Sequence, residues 1–510
     1  MEQIPNKKKM HLRFRSVILL LLLLISILCY KSGEWYESVY GQTGFDSVLY
    51  TLFSGVVGVE PDLIFSYQKN VVLPAGYYFV ILAVAFFTPF RNYLAVSVFG
   101  GRKIRIFPMR RWIAVTLCLC TSSFFMIEAA KSVQLGKYID SIFNPSHFYQ
   151  ENYIDPDTTE ITFPEQKQNL IYIFMESMET TFFSKQQGGA LDQNVIPELY
   201  QLAYENINFS HNEDIGGFSS TSGSTWTIAA MVSQASGVPL KLLANMNGNE
   251  FSTKDGYLPG LTTITDILHD NGYYQGLMVG SDVAFGGREQ FYSQHGVDRI
   301  YDYYTAMDDS IIPQGYYVWW GMEDKYLFEY AKQELDKIAK QKIPFAFTLL
   351  TVDTHHVGGY LCDECQSEYD EQYENVFACS SKQIDEFIGW IQQQDFYENT
   401  TIVLVGDHPS MDGAYIERQV GTYDRYMYNC FINSKAEPYK VKNRVFTTMD
   451  MFPTTLAAMG CSIEGNRLGL GTNMFSDKPT LAEEMGILTF DQESAAFSDY
   501  YMDNFARVVE

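Results

Sequence analysis

At 510 residues with a formal charge of −25, the chain is too long for one ordinary core and too acidic for a nucleic-acid binder. Its 46% apolar against 19% charged residues exclude an intrinsically disordered protein. The apolar residues are unevenly spread, with long hydrophobic runs in about the first 135 positions and an ordinary soluble composition after them, so at least two structural units are expected.

The first run, residues 16–30, follows Lys7, Lys8, Lys9, Arg13 and Arg15 and has the outline of a signal sequence. No small-residue cleavage site follows it and more hydrophobic segments do, so it reads as an uncleaved spanning helix. Runs at 71–90 and 112–130 supply a second and a third span. Arg91, Arg102, Lys103, Arg105, Arg110 and Arg111 lie between those two, which by the positive-inside rule makes that loop and the N-terminus cytoplasmic. Everything after about residue 131 is then outside the cytoplasm. Phe45 to Val59 is apolar but short, contains glycine and is followed by Glu60 and Asp62; counting it as a span would move the basic loop outside, so an interfacial or re-entrant piece is expected. Residues 1–135 carry about 14 basic and about 7 acidic side chains, which leaves roughly −32 on the remainder, a charge that solubility largely accounts for.

Residues 136–168 are expected to be a linker, since the stretch from Phe143 is polar, contains proline and lacks a clear period. Residues 169–510 read as one α/β domain. Asn169 to Met175 (NLIYIFM) is a continuous apolar run of the kind buried on both faces of a parallel sheet, and Gln275 to Gly280, Phe345 to Val352 and Thr400 to Val405 repeat the pattern. Helical spacing of apolar positions appears between them, at 324–341 and 381–394. Strands alternating with helices predict a mostly parallel central sheet.

Cys29, Cys118 and Cys120 fall in membrane segments, whereas Cys362, Cys365, Cys379, Cys430 and Cys461 fall in the outer domain, where disulfides are permitted. Cys362 and Cys365 form a CxxC without a second CxxC or a histidine pair nearby, so a disulfide from one of them to Cys379 is expected in preference to half a zinc site.

Ligands of open α/β sheets bind beyond the carboxyl ends of the strands. Here those ends carry Glu176, then Ser281 with Asp282, then Asp353 with His355 and His356, then Asp407 with His408. Carboxylates mixed with imidazole suit a divalent cation of intermediate hardness, although a single acid at a strand end is more often a turn or cap residue. A further ligand is expected from Gly216 to Leu240, where Gly and Ser crowd the start and a helix-compatible run, 226–235, follows. A hydroxyl at that helix start would face the positive end of the dipole, as a nucleophile for phosphate should; the plainer reading is that Ser224 or Thr225 caps the helix.

The segments NLIYIFMES, STWTIAAMVSQASGVPL, GGREQFYSQHGVDRIYD, TVDTHH and VGDH occur in the order found in sulfatase-like membrane phosphotransferases of the alkaline phosphatase superfamily. Over about 169–474 the chain resembles the phosphoglycerol transferases of periplasmic glucans and, more distantly, lipoteichoic acid synthase and the phosphoethanolamine transferases of lipid A. The resemblance implies a bacterial cell-membrane enzyme with its catalytic domain outside. It further implies a membrane phospholipid donor, a glycan or glycerophosphate-polymer acceptor, no nucleic acid, and a divalent metal, manganese in preference to magnesium or zinc. Position by position, Glu176, Asp407 and His408 match the metal ligands. Counting back seven residues from Met231 makes Ser224 both nucleophile and metal ligand, with Thr227 as the second hydroxyl and Thr225 and Thr221 as neighbouring alternatives. His355 matches the histidine at the transferred head group and Arg288 the arginine on its phosphate. Gly286 stands where lipoteichoic acid synthase has Trp. Phosphoethanolamine transferases, with a Pro before the Met where this chain has Ala229 and Ala230, are the nearest alternative, followed by a phosphodiesterase. A sulfatase would require Pro and Arg after the nucleophile, and Ser224 is followed by Thr-Trp-Thr.

Overall fold

In the computed structural model, which describes residues 14–40, 45, 48–49, 61–87, 95–98, 102–105, 111–241 and 257–506, the chain divides near residue 136 into two units. Among the described residues the first contains three helices long and apolar enough to cross a membrane, at Ser16–Val39, Ile64–Phe86 and Trp112–Ser132. The first of these runs nine residues past the expected 30, and the second begins seven residues before the expected 71. Within the second, a π turn at Gln68–Val72 precedes Pro74, which has no N–H to give and is accommodated at the start of the helix Leu73–Phe86. The helices bury Leu23, Ile27, Ala75, Ala83, Phe87 and Cys118 against one another. They expose Leu21, Ile25, Val80, Phe124 and Ile127, an apolar outer face of the kind that suits a lipid environment. In the basic loop Ala95–Val98 pairs antiparallel with Arg102–Arg105, a ribbon not expected from the charges alone. Apart from residues 45, 48 and 49, the expected interfacial piece at 45–59 lies outside the described residues.

A seven-stranded sheet forms the centre of the second unit. Asn169–Met175 lies in the middle with every side chain buried, flanked in parallel by Thr400–Gly406 on one side and Phe345–Leu350 on the other. Tyr274–Val279 and then Arg299–Tyr301 extend the parallel part, while Met427–Ile432 and Gly217–Phe218 add antiparallel strands beyond Thr400–Gly406. The unbroken apolar runs are therefore those covered on both faces, as a parallel sheet requires. One covering helix, Asp324–Ala339, buries Leu327, Phe328, Ala331, Leu335 and Ile338 at helical spacing. Another, Gln372–Gln392, starts nine residues before the expected 381, because Tyr373, Val376 and Phe377 continue the same buried stripe.

Much of the stretch expected as a linker is folded. Ile161–Thr162 pairs with Ser462–Ile463, Ile154 bridges Gly469, and the fully buried Tyr149 donates its hydroxyl to Ser494 O at 2.8 Å. These partners lie some three hundred residues away in sequence, and local composition carries no trace of them. Cys365 is disulfide-bonded to Cys379, and the Cys362 thiol lies 3.5 Å from Cys365 Sγ.

Candidate active site

Parallel register assembles the site. Met175 is paired with Gly406 and Phe174 with Leu350, so the next residues on each strand, Glu176, Asp407 and the 351–356 loop, emerge side by side at one edge. Gly406 is required at this point: a Cβ there would collide with the Met178 carbonyl of the turn that follows Glu176. Backbone clamps then hold the edge. Glu176 N–H donates to Thr351 Oγ1 at 2.9 Å, and Thr354 Oγ1 donates to Glu176 O at 2.5 Å. Arg425 pairs with the fully buried Glu179, which also accepts from Ser410 N–H at 2.8 Å and so ties the loop after His408 to the turn after Glu176.

Glu176, Asp407 and His408 are buried, each offering one ligand atom within 4.8 Å of the others. Asp407 Oδ1 accepts from the N–H groups of Ser177 at 2.8 Å and His408 at 2.7 Å, whereas buried Oδ2 accepts no hydrogen bond. His408 Nδ1 faces the Pro409 carbonyl at 3.0 Å and must donate to it, which leaves the Nε2 lone pair 3.4 Å from Asp407 Oδ2 and 3.5 Å from Glu176 Oε1. Two carboxylates, an imidazole oriented through its other nitrogen, and a buried acceptor without a donor fit a divalent cation.

Electrostatics agree with the geometry. Burial, reinforced by the Glu176 charge, pushes the Asp407 carboxyl up to about 8. Burial also acts to raise Glu176, but the charges of His408 and His355 outweigh it and hold that carboxyl below its ordinary value. For His408 burial opposes the charged ring, and Asp407 with Glu176 overcomes it, raising the pKa. A second positive charge in the pocket would return Asp407 to its ionised form.

The hydroxyl beside this cluster belongs to Thr227, not Ser224. Thr227 Oγ1 lies 3.2 Å from His408 Nε2 and 3.4 Å from Glu176 Oε2. It is the first residue of the helix Thr227–Ser236, with Trp226 still extended before it. Ser224 closes the preceding turn, made possible by Gly223 at φ +76°; its buried hydroxyl donates to Thr221 O at 2.8 Å, accepts from Thr221 N–H at 2.9 Å and lies 3.1 Å from Thr448 Oγ1. Counting back from Met231 selects the turn residue, whereas the positive end of the helix selects Thr227. Thr221 donates to Met449 Sδ, away from the cluster, and Thr225 is half-buried with no hydrogen bond to it.

His355 is beside the cluster, close enough for its charge to lower Glu176, and its Nδ1 must donate to the His356 carbonyl at 2.8 Å, leaving Nε2 for other work. Burial lowers its pKa, Glu176 opposes this, and Arg288 adds to the lowering. Trp320 packs on the ring at 4.5 Å between centroids. Arg288 is buried and donates to Ser281 Oγ at 2.9 Å and to the carbonyls of Asp282 at 2.7 Å and Phe285 at 3.0 Å. The strand-end pair Ser281 and Asp282 thus positions Arg288. Asp353 turns toward Asp324, accepting its N–H at 3.2 Å, and is not part of the Glu176, Asp407 and His408 cluster. Sequence reasoning missed Ser177, Thr351 and Thr354; only their adjacency to Glu176, Asp353 and His355 signalled them.

Residues 168–461 match the sulfatase family, more than half of the chain. The chain belongs to the sulfatase family. Among relatives, it is 29% identical over 348 residues to phosphoglycerol transferase I of Xanthomonas axonopodis pv. citri (strain 306), which covers 66% of this chain and 47% of that protein. Phosphoglycerol transferase I of Salmonella choleraesuis (strain SC-B67) is 30% identical over 329 residues, 62% of this chain and 40% of that one. The chain therefore spans less than half the length of these relatives. Among solved structures, the lipoteichoic acid synthase LtaP from Listeria monocytogenes superimposes with a TM-score of 0.49 at 17% identity, covering 64% of this chain and 80% of that one. The matched region contains the seven-stranded sheet with Glu176, Asp407 and His408 at its strand ends, and the helices before residue 136 lie outside it.

Proposed function

We propose that this protein is a membrane-anchored, metal-dependent phosphotransferase that moves phosphoglycerol from phosphatidylglycerol to a hydroxyl of a glycan or polymer through a covalent Thr227 ester. Residues 1–135 act as the anchor in the bacterial cell membrane, and the catalytic unit faces away from the cytoplasm beside its lipid donor. The observation that carries this reading is the Thr227 hydroxyl at a helix start, 3.2 Å from His408 Nε2 and 3.4 Å from Glu176 Oε2, next to an Asp407 oxygen that accepts no hydrogen bond. Glu176, Asp407, His408 and Thr227 would hold the cation. When bound, a divalent ion there supplies a lowered hydroxyl pKa and neutralises phosphate charge; manganese is preferred by family resemblance alone.

In the first step Thr227 Oγ1 gives up its proton and bonds to phosphorus, the bond from phosphorus to the diacylglycerol oxygen breaks, and that oxygen takes up a proton as it leaves, so no net proton is gained or lost. The N-terminus of the Thr227 helix and the Arg288 guanidinium favour the phosphate near the nucleophile. An acceptor hydroxyl then attacks the phosphothreonine and frees Thr227. His355, its pKa lowered chiefly by burial, takes the acceptor's proton on Nε2, and Thr227 Oγ1 takes up a proton as its bond to phosphorus breaks. The testing experiment is turnover of fluorescent phosphatidylglycerol and phosphatidylethanolamine by the purified protein with added Mn²⁺. Diacylglycerol released from phosphatidylglycerol alone is expected. Release from phosphatidylethanolamine alone would reassign the head group, and release from neither would overturn the reading.

A further inference from the structure

Ser177 is in the left-handed region, at φ +55°, although it is not glycine. It occupies the third position of the turn closed by Met178 N–H to Met175 O at 3.2 Å, where a positive φ ordinarily selects Gly or Asn. It is fully buried, so its hydroxyl needs a partner and finds one in Glu176 Oε1 at 2.7 Å. The same residue's N–H donates to Asp407 Oδ1 at 2.8 Å. Ser177 thus bonds two carboxylates on neighbouring strands at once, one through its side chain and one through its backbone.

We infer that Ser177 is a positioning residue for the metal pair, holding Glu176 and Asp407 at their mutual geometry from a strained backbone conformation. This rests on the reading of Glu176, Asp407 and His408 as a cation site. The left-handed φ aims the N–H across to the Asp407 strand while the side chain folds back on Glu176. With Oδ1 of Asp407 engaged by two N–H groups, its other oxygen is the one directed at His408. With Oε1 of Glu176 bonded to Ser177, Oε2 is the oxygen toward Thr227. A turn optimised for stability would carry glycine; a turn that must orient a ligand keeps the hydroxyl and retains the strain.

The test separates stability from metal affinity. Ser177→Gly keeps the N–H, relieves the φ and removes the hydroxyl; Ser177→Ala keeps the strain and removes the hydroxyl. Full-length protein, solubilised in detergent and stripped of metal, is titrated calorimetrically with Mn²⁺ and with Zn²⁺, and its unfolding is followed without metal. Ser177→Gly is expected to melt no lower than wild type without metal, and above Ser177→Ala. Both variants are expected to bind the ions roughly 10- to 100-fold more weakly. Wild-type affinity in both variants would overturn the inference while leaving the metal reading intact. A Ser177→Gly protein that melts lower or fails to fold would overturn the claim of strain. A wild-type protein that binds neither ion would remove the metal reading and the inference together.

Discussion

Replacing Thr227 and Ser224 in turn should separate catalysis from folding. Thr227 Oγ1 meets its two site neighbours at 3.2 and 3.4 Å, the long end of the hydrogen-bond range, so Thr227→Ala costs little stability. It removes the only hydroxyl recorded within hydrogen-bonding distance of His408 Nε2 among the described residues, and turnover should fall by at least the order of 10³-fold, about 4 kcal/mol of transition-state stabilisation. Ser224 is the converse. Its buried hydroxyl donates at 2.8 Å, accepts at 2.9 Å and has Thr448 Oγ1 at 3.1 Å, so Ser224→Ala strands the Thr221 N–H. That costs about 1–3 kcal/mol, or roughly 1–4 °C in Tm for a unit of this size. The assay is diacylglycerol release from fluorescent phosphatidylglycerol with added Mn²⁺, normalised to folded protein, alongside Tm. Loss of release in Ser224→Ala at unchanged Tm, with Thr227→Ala still active, would refute the assignment.

Three further outcomes are expected. Asp407→Asn should weaken metal binding by at least the order of 100-fold, measured by calorimetry, yet raise the Tm of the metal-free protein at neutral pH, because it removes a carboxyl that must take up a proton to be buried beside Glu176. The metal-free protein should lose stability as pH rises: Asp407 is raised in the fold from an ordinary 3.8 to about 8, so its contribution is full below 3.8 and is lost as pH climbs to about 8. His408, also raised, adds to the same loss above its ordinary 6.5, whereas Glu176, lowered, contributes above its ordinary 4.5 and loses that only in acid. Thermal melts from pH 5 to 8 with and without Mn²⁺ check this, and saturating metal should flatten or reverse the slope, since its ligands bind deprotonated. Peptide mapping should find Cys365 joined to Cys379, a bond closing a separation of 14 residues and contributing on the order of 3 kcal/mol. In Cys379→Ala the Cys362 thiol, 3.5 Å from Cys365 Sγ, should take its place.

Strand identity was legible because burial on both faces writes itself into consecutive residues, as in NLIYIFM, and the polar residue ending each run marks the ligand edge. That pattern offered Glu176, Asp407 and His408 among the other strand-end residues, together with a hydroxyl at a helix start after Gly216, and the family resemblance picked those three out as metal ligands. Which hydroxyl it is depends on three residues of register at the helix entry, decided by the turn at Gly223 and the extended Trp226, and the repeating pattern of the helix does not report where it begins. Sequence by itself therefore determined the sheet, the apolar N-terminal helices and the acidic edge, since each follows from periodicity over a few neighbours. Tertiary structure alone placed the Thr227 hydroxyl, and not that of Ser224, beside His408, set Ser177 between two carboxylates, and docked 146–162 onto residues beyond 460, because each depends on pairings between strands and loops far apart in the chain.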